Sequence, residues 1–245
     1  MQPRYGRLYG AAVLRPLAEQ LLAILGVRAG ETVCDLVCDG GVLTRMLADA
    51  AGPRGSVIAV DVAESLVESA RAAGGARSAP VRTIITDGSH VALPSACCDH
   101  VASVLTIGFG DAAALRVEAH RVARSTGSVA AVCWDPSRPP PHERALAAAL
   151  HEAGVATSPF LATALSSPWH VSPGSQRRDV HDVVRFDGFA SYWTACVSER
   201  PLGIDIASLP DEQLDIAKTR CLRELEAFIA ADGTMRIPVD ALVLS

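Results

Sequence analysis

The sequence predicts an α/β fold: a mostly parallel seven-stranded sheet with helices on both faces and a helical cover from the C-terminal half. Three observations carry this expectation. Short apolar runs alternate with helix-period segments from residue 11 to residue 135, the pattern of strands buried on both faces and linked by crossover helices. Cap and turn residues sit at the changeovers. The tract SRPPP at 137–141 then ends the alternation, because proline fixes φ and removes a backbone donor.

Taken in order, Leu14, Leu17, Leu21, Leu22 and Leu25 recur at helical spacing and stop at Gly26. Apolar runs mark strands at Thr32–Val37, Ser56–Asp61, Val81–Thr86, His100–Thr106 and Ser128–Trp134. Helices fill the gaps at Arg45–Ala50, Ala63–Ala72 and Ala112–Arg124, the last capped by Asp111 and closed by Ser125, Thr126 and Gly127. Beyond the connector, His142–Gly154 and Leu209–Ala231 read as helices. Val180–Phe186 and Ile237–Leu244 read as strands forming an edge hairpin, and the pattern between Thr157 and Gln176 is weak. The expected division is a core at 1–135, a cover and substrate region at 136–236 and a closing strand at 237–245.

Composition narrows the function. The chain has 245 residues, 49% hydrophobic and 20% charged, so it can bury a substantial core. Aromatics are 4%, which leaves few platforms for base stacking, and the 22 basic against 27 acidic residues give a net charge of -5. Nucleic acid is therefore a disfavoured partner. No run of eighteen uninterrupted apolar residues and no secretion signal in MQPRYGRLYG are visible, so no membrane partner and a cytoplasmic location are expected. Seven cysteines with no CxxC pair read as buried free thiols rather than a zinc site. Lys218 is the single lysine, which disfavours Schiff-base chemistry.

The candidate site begins at the turn Asp35-Leu36-Val37-Cys38-Asp39-Gly40-Gly41, where a strand hands over to a helix N-terminus that offers backbone N–H groups to an anionic ligand. Twenty residues after Gly41, Asp61 closes the next strand. A carboxylate there is placed to accept both hydroxyls of an adenosine ribose, or to cap the following helix. Asp87-Gly88 closes the third strand: Asp87 can accept from an exocyclic amine, and Gly88 lets the backbone approach a ring nitrogen. Each element is also ordinary turn chemistry. Their succession at strand ends points to an adenosine-type cofactor.

The run from Tyr9 to about Trp134 resembles the class I S-adenosylmethionine-dependent methyltransferases, a Rossmann-like fold, and within them the small-molecule branch that includes ubiquinone/menaquinone-biosynthesis-like enzymes. The matching pieces are VRAGETVCDLVCDGGVLTRMLA, GSVIAVDVAESLVESAR, TDGSHVALPSACCDHVASVLTIGF and LRVEAHRVARSTGSVAAVCW. The resemblance implies S-adenosylmethionine as cofactor. It implies contacts from Asp35, Val37, Cys38, Gly41, Asp61, Val62, Asp87, Gly88 and Leu105, with Thr106 beside them. RFDGFASYW and FIAADGTMRIPVDALVLS are similar to the tail of the same branch, where a helical segment covers the substrate.

The turn departs from the family, which has glycine where Val37 and Asp39 stand. Valine opposes a positive φ and crowds the methionine end, whereas aspartate tolerates the left-handed region. A carboxylate ~4 Å from the cofactor's own carboxylate, at an effective dielectric of about 20, is repelled by about 4 kcal/mol; turned toward the amine or sulfonium, the sign reverses. Three readings follow: methyl transfer to a small molecule of secondary metabolism, non-methylating chemistry of cyclase, isomerase or lyase type, and a noncatalytic partner, with a homodimer as an assembly to test. His100 and His120 read as structural. His90, His142, His151, His170 and His181 are placed near a pocket, and Trp169, Tyr192 and Trp193 wall a small-molecule site or anchor the cover.

Overall fold

The computed structural model describes residues 8–72, 74–86, 90–105, 112–155, 176–198, 206 and 209–245. A π-helical turn, Gly10–Leu14, leads into α1 (Arg15–Leu25), which ends where Gly26 adopts φ +63° and donates its N–H to Leu22 O. The chain then alternates through β1 (Thr32–Leu36), α2 (Val42–Ala51), β2 (Ser56–Asp61), α3 (Glu64–Arg71), β3 (Val81–Ile85), β4 (Cys98–Val104), α4 (Ala112–Val122) and β5 (Ala123–Trp134). Next come α5 (Pro141–Glu152), β6 (Arg177–Phe186), α6 (Phe189–Ser198), α7 (Asp211–Leu225) and β7 (Met235–Leu244).

The seven strands order as β3-β2-β1-β4-β5-β7-β6. The pairs β1–β2, β2–β3, β1–β4 and β4–β5 are parallel. Gln176 and Ser245 exchange N–H···O bonds of 2.8 and 3.1 Å, an antiparallel arrangement of β6 with β7. β1 has β2 on one side and β4 on the other, so the direction of winding reverses there. Open α/β sheets bind ligands at the strand C-termini of such a switch point.

Two elements differ from the sequence expectation. β5 begins at Ala123 rather than Ser128, because Cys98 pairs with Ala123 and a register irregularity follows before His100 pairs with Ser128. Gly127 belongs to that strand for a steric reason: a Cβ on it would lie 2.6 Å from Asp99 O. α6 was not anticipated, since FASYWTACVS is apolar on every side and shows no helical stripe. The last helix stops at Leu225 and passes through a 3₁₀ turn, Glu226–Phe228, before Ile229 bridges Met235. Asp111, Thr106, Trp169 and His170 lie outside the described residues.

Chain contacts divide the molecule into two compact units. One contains Leu14–Cys133 and Leu242–Ser245; its core is aliphatic, with Leu36, Val60, Val101, Leu115 and Leu242 all buried. The other contains Trp134, α5, α6, α7 and most of β6 and β7. Its core is aromatic: Tyr192 is fully buried, stands edge-on to His142 and Phe186, and donates its hydroxyl to His142 O at 2.9 Å. Arg220 of α7 pairs with Glu152 of α5 at 3.1 Å. Among the described residues all seven cysteines are free thiols, six of them buried, and no helix is long and apolar enough to cross a membrane.

Candidate active site

The turn from β1 to α2 keeps a left-handed path. Val37 has φ +69°, Asp39 φ +43° and Gly41 φ +86°. A β-branched residue in this region costs on the order of 1–3 kcal/mol and persists only where the surroundings fix it. The surroundings are explicit. The N–H groups of Val37 and Cys38 both donate to Val60 O at 2.9 Å, and Gly41 N–H closes the turn on Cys38 O at 2.9 Å. Gly41 is also needed for packing, since a Cβ there would lie 2.7 Å from the Cα of Ala70 on α3.

Two buried carboxylates flank this turn. Asp61, 2% exposed at the end of β2, accepts three backbone N–H bonds: Asp39 at 3.0 Å on Oδ2, Val62 at 2.8 Å and Ala63 at 3.2 Å on Oδ1. Burial raises its pKa and these bonds pull it back. It pins the turn and the entrance to α3 together. Asp35, 1% exposed in β1, receives one bond, from the Thr44 hydroxyl to Oδ2 at 2.5 Å. Its Oδ1 is buried without a partner. Desolvation, with the charges of Asp61 and Asp39 adding to it, raises the Asp35 pKa to about 7, against the opposing effect of the Thr44 bond.

Asp35 faces a hollow of about 240 Å³, part of it open to solvent. Asp35, Val37, Cys38 and Asp39 form one side, Val42 and Leu43 of α2 and Val104 of β4 the next, and Leu14 and Ala18 of the first helices the last. The structure thus brings Asp35, Val37 and Cys38 together at one cavity. Gly41 and Asp61 support that cavity from outside its wall. Val62 is half exposed, and Leu105, with φ +48°, is buried and donates its N–H to Val132 O at 2.8 Å; neither lines the hollow. Asp87 and Gly88 lie outside the described residues. Burial, with Asp35, Asp61 and Asp39 near by, drives the Cys38 thiol pKa far up, so it stays protonated and is no nucleophile.

Sequence reasoning did not single out Thr44, Leu14, Ala18, Val42, Leu43 or Val104. Thr44 carries a signal in retrospect: a buried hydroxyl one turn into the helix after an acidic strand residue. The aliphatic members carry none. His100, expected to be structural, is buried and pairs with Glu31 at 3.1 Å. His90 contacts Glu118 at 3.3 Å and His181 contacts Asp240 at 2.5 Å, both rings largely exposed, whereas His142 is enclosed in the aromatic core. Among the described residues no three His, Cys, Asp or Glu side chains converge as metal ligands.

Residues 33–127, from β1 into β5, match the family model of a methyltransferase domain. The chain belongs to the class I S-adenosylmethionine-dependent methyltransferase superfamily. This methyltransferase-superfamily chain is 30% identical over 193 residues to nocamycin O-methyltransferase of Saccharothrix syringae, covering 74% of this chain and 66% of that one. It therefore spans less than two thirds of that relative's length. Among solved structures, a protein described as a methyltransferase from an antibiotic biosynthesis pathway of Anabaena variabilis superposes with TM-score 0.58 at 14% identity, over 94% of this chain and 96% of that one. The YcgJ protein of Bacillus subtilis superposes with TM-score 0.55 at 14% identity, over 93% and 95%. At such identity these likenesses speak to the fold.

The superfamily's cofactor is S-adenosylmethionine, and the residues present fit it. The unpartnered Asp35 Oδ1 is an acceptor awaiting a cationic donor, and the hollow's aliphatic walls suit an alkyl arm.

Proposed function

We propose that this chain transfers the methyl group of S-adenosylmethionine to a heteroatom or carbon of a small molecule of secondary metabolism. The observation that carries the reading is the β1–α2 turn. It holds its left-handed path despite Val37 and Asp39, and leaves one buried carboxylate oxygen, Asp35 Oδ1, open to a hollow at the switch point. The match over residues 33–127 and the O-methyltransferase relative favour methyl transfer over the cyclase, isomerase, lyase or noncatalytic alternatives.

The donor supplies an electrophilic methyl on a sulfonium, so the protein's contribution is position and charge. Asp35 Oδ1 accepts from the cationic arm, and Thr44, by holding Oδ2, fixes the plane of the carboxylate. Asp61 keeps the turn in place through the Asp39 N–H. Leu14, Val37, Val42, Leu43 and Val104 keep water out of the hollow. Recognition of the acceptor is assigned to residues 136–236, whose aromatic cluster around Tyr192 suits an apolar ring compound. The acidic balance of the chain argues for a small-molecule partner over nucleic acid, and we place the reaction in the cytoplasm. Light scattering distinguishes a homodimer from a monomer.

Calorimetry with S-adenosylmethionine and S-adenosylhomocysteine tests the reading. Micromolar binding, with label from methyl-tritiated donor appearing in low-molecular-weight phenols or enols, is the expected result. Absence of heat at millimolar ligand overturns it.

A further inference from the structure

The wall of the hollow carries acid and no counter-charge. Asp35 and Asp39 are on it, and no Lys, Arg or His is among its residues. The others are aliphatic apart from Cys38, a neutral thiol. The wall also holds a polar atom built for something absent from the protein itself: Asp35 Oδ1, in a residue 1% exposed, has no hydrogen-bond partner. A buried anionic oxygen left in that state is costly until a cation or donor reaches it. Asp39 adds a second carboxylate at a position where the resembling family has glycine, and its backbone N–H is tied to Asp61, which holds the residue at this spot.

We infer that Asp39, acting with Asp35, is a specificity-determining residue that makes the site select its nucleoside by charge, favouring the sulfonium methyl donor over the neutral thioether product. This rests on the methyl-donor reading above. Donor and product share adenosine, ammonium and carboxylate; they differ by one methyl group and one positive charge. Whatever Asp39 does to the shared groups, including repulsion of their carboxylate, cancels in the ratio of the two dissociation constants. The attraction between the sulfonium and the acidic wall does not cancel. A unit charge ~10 Å away at an effective dielectric of about 20 changes affinity roughly tenfold. Product therefore leaves the site readily, and turnover tolerates its accumulation.

The test is calorimetry of S-adenosylmethionine, S-adenosylhomocysteine and sinefungin, whose amine restores a cation at the methyl position, on the wild type, Asp39→Asn and Asp39→Gly. Asparagine and glycine both accept φ +43°, and an unchanged melting temperature verifies the fold of each variant. The product-to-donor ratio of dissociation constants is expected to exceed about 10 in the wild type and to fall roughly tenfold in both variants, with sinefungin following the donor. A ratio that is the same in all three proteins, while both nucleosides bind, overturns this inference alone. Binding of neither nucleoside to the wild type overturns it together with the methyl-donor reading.

Discussion

Asp35 and Asp61 end adjacent parallel strands, are equally buried and are both acidic, yet the protein uses them in opposite ways. Asp61 is saturated: three backbone N–H groups from the turn and from the start of α3 converge on it. Asp35 is left half satisfied, with Thr44 on one oxygen and nothing on the other. A buried carboxylate with all its bonds made within the chain stabilises the fold, and one with an open oxygen is held for a ligand at the fold's expense. The acidic wall that Asp35 shares with Asp39 is the functional half of this pair, and Asp61 is its scaffold.

Removing the scaffold should have the largest effect. Asp61→Ala strands three N–H groups, each costing about 1–3 kcal/mol when buried and unpaired. The melting temperature should drop by roughly 10 °C or more, at about 2–4 °C per kcal/mol for a chain of this length, and donor binding should go with it. A drop below 3 °C in a thermal scan would show that the turn does not depend on Asp61.

Asp35→Asn should act in the opposite direction. An exposed carboxyl ionises near 3.8, whereas Asp35 holds its proton up to about 7. The native state therefore binds the proton more tightly, stability falls as pH rises from about 4 to 7, and the full cost stands above 7. At pH 8 the asparagine variant should melt several degrees higher than the wild type, with the gain shrinking as the pH is lowered toward 4. Binding should report the same titration with the reverse consequence. Donor affinity of the wild type should rise up to about tenfold between pH 6 and pH 8, as Asp35 ionises beside Thr44, Asp39 and Asp61, and the asparagine variant should be weaker and flat. A flat wild-type profile would sever Asp35 from the ligand.

The smallest change is expected from Val37→Gly. Losing a buried valine costs about 1.5–3 kcal/mol, and releasing a β-branched residue from φ +69° returns on the order of 1–3 kcal/mol. Melting should shift by no more than about 3 °C, while donor affinity rises because the hollow gains room. Unchanged affinity would show that Val37 does not crowd the ligand.

The parallel half was legible because its strands are near-continuous apolar runs, and Ser56–Asp61 ends where the pattern of the chain ends it. The start of β5 was not, since ARSTG reads as a helix end followed by a turn and becomes strand only by pairing with β4 across the irregularity at Cys98. α6 escaped because periodicity vanishes when every face is buried. At the site, Asp35, Val37, Cys38, Gly41 and Asp61 could be picked out as candidates, but their division of labour could not. The three donors to Asp61 include one from Asp39, 22 residues earlier, and no local rule announces it.

The amino-acid order by itself determined the layered α/β architecture, the acidic cluster at the strand ends and the exchange of two glycines for valine and aspartate, because these follow from periodicity and residue identity. Tertiary packing decided that the exchanged turn still bends left-handed, and which carboxylate is spent on backbone amides and which faces the hollow. Those outcomes depend on hydrogen-bond partners brought together from β1, β2, α2 and α3, whose separation along the chain hides them from any reading of neighbours.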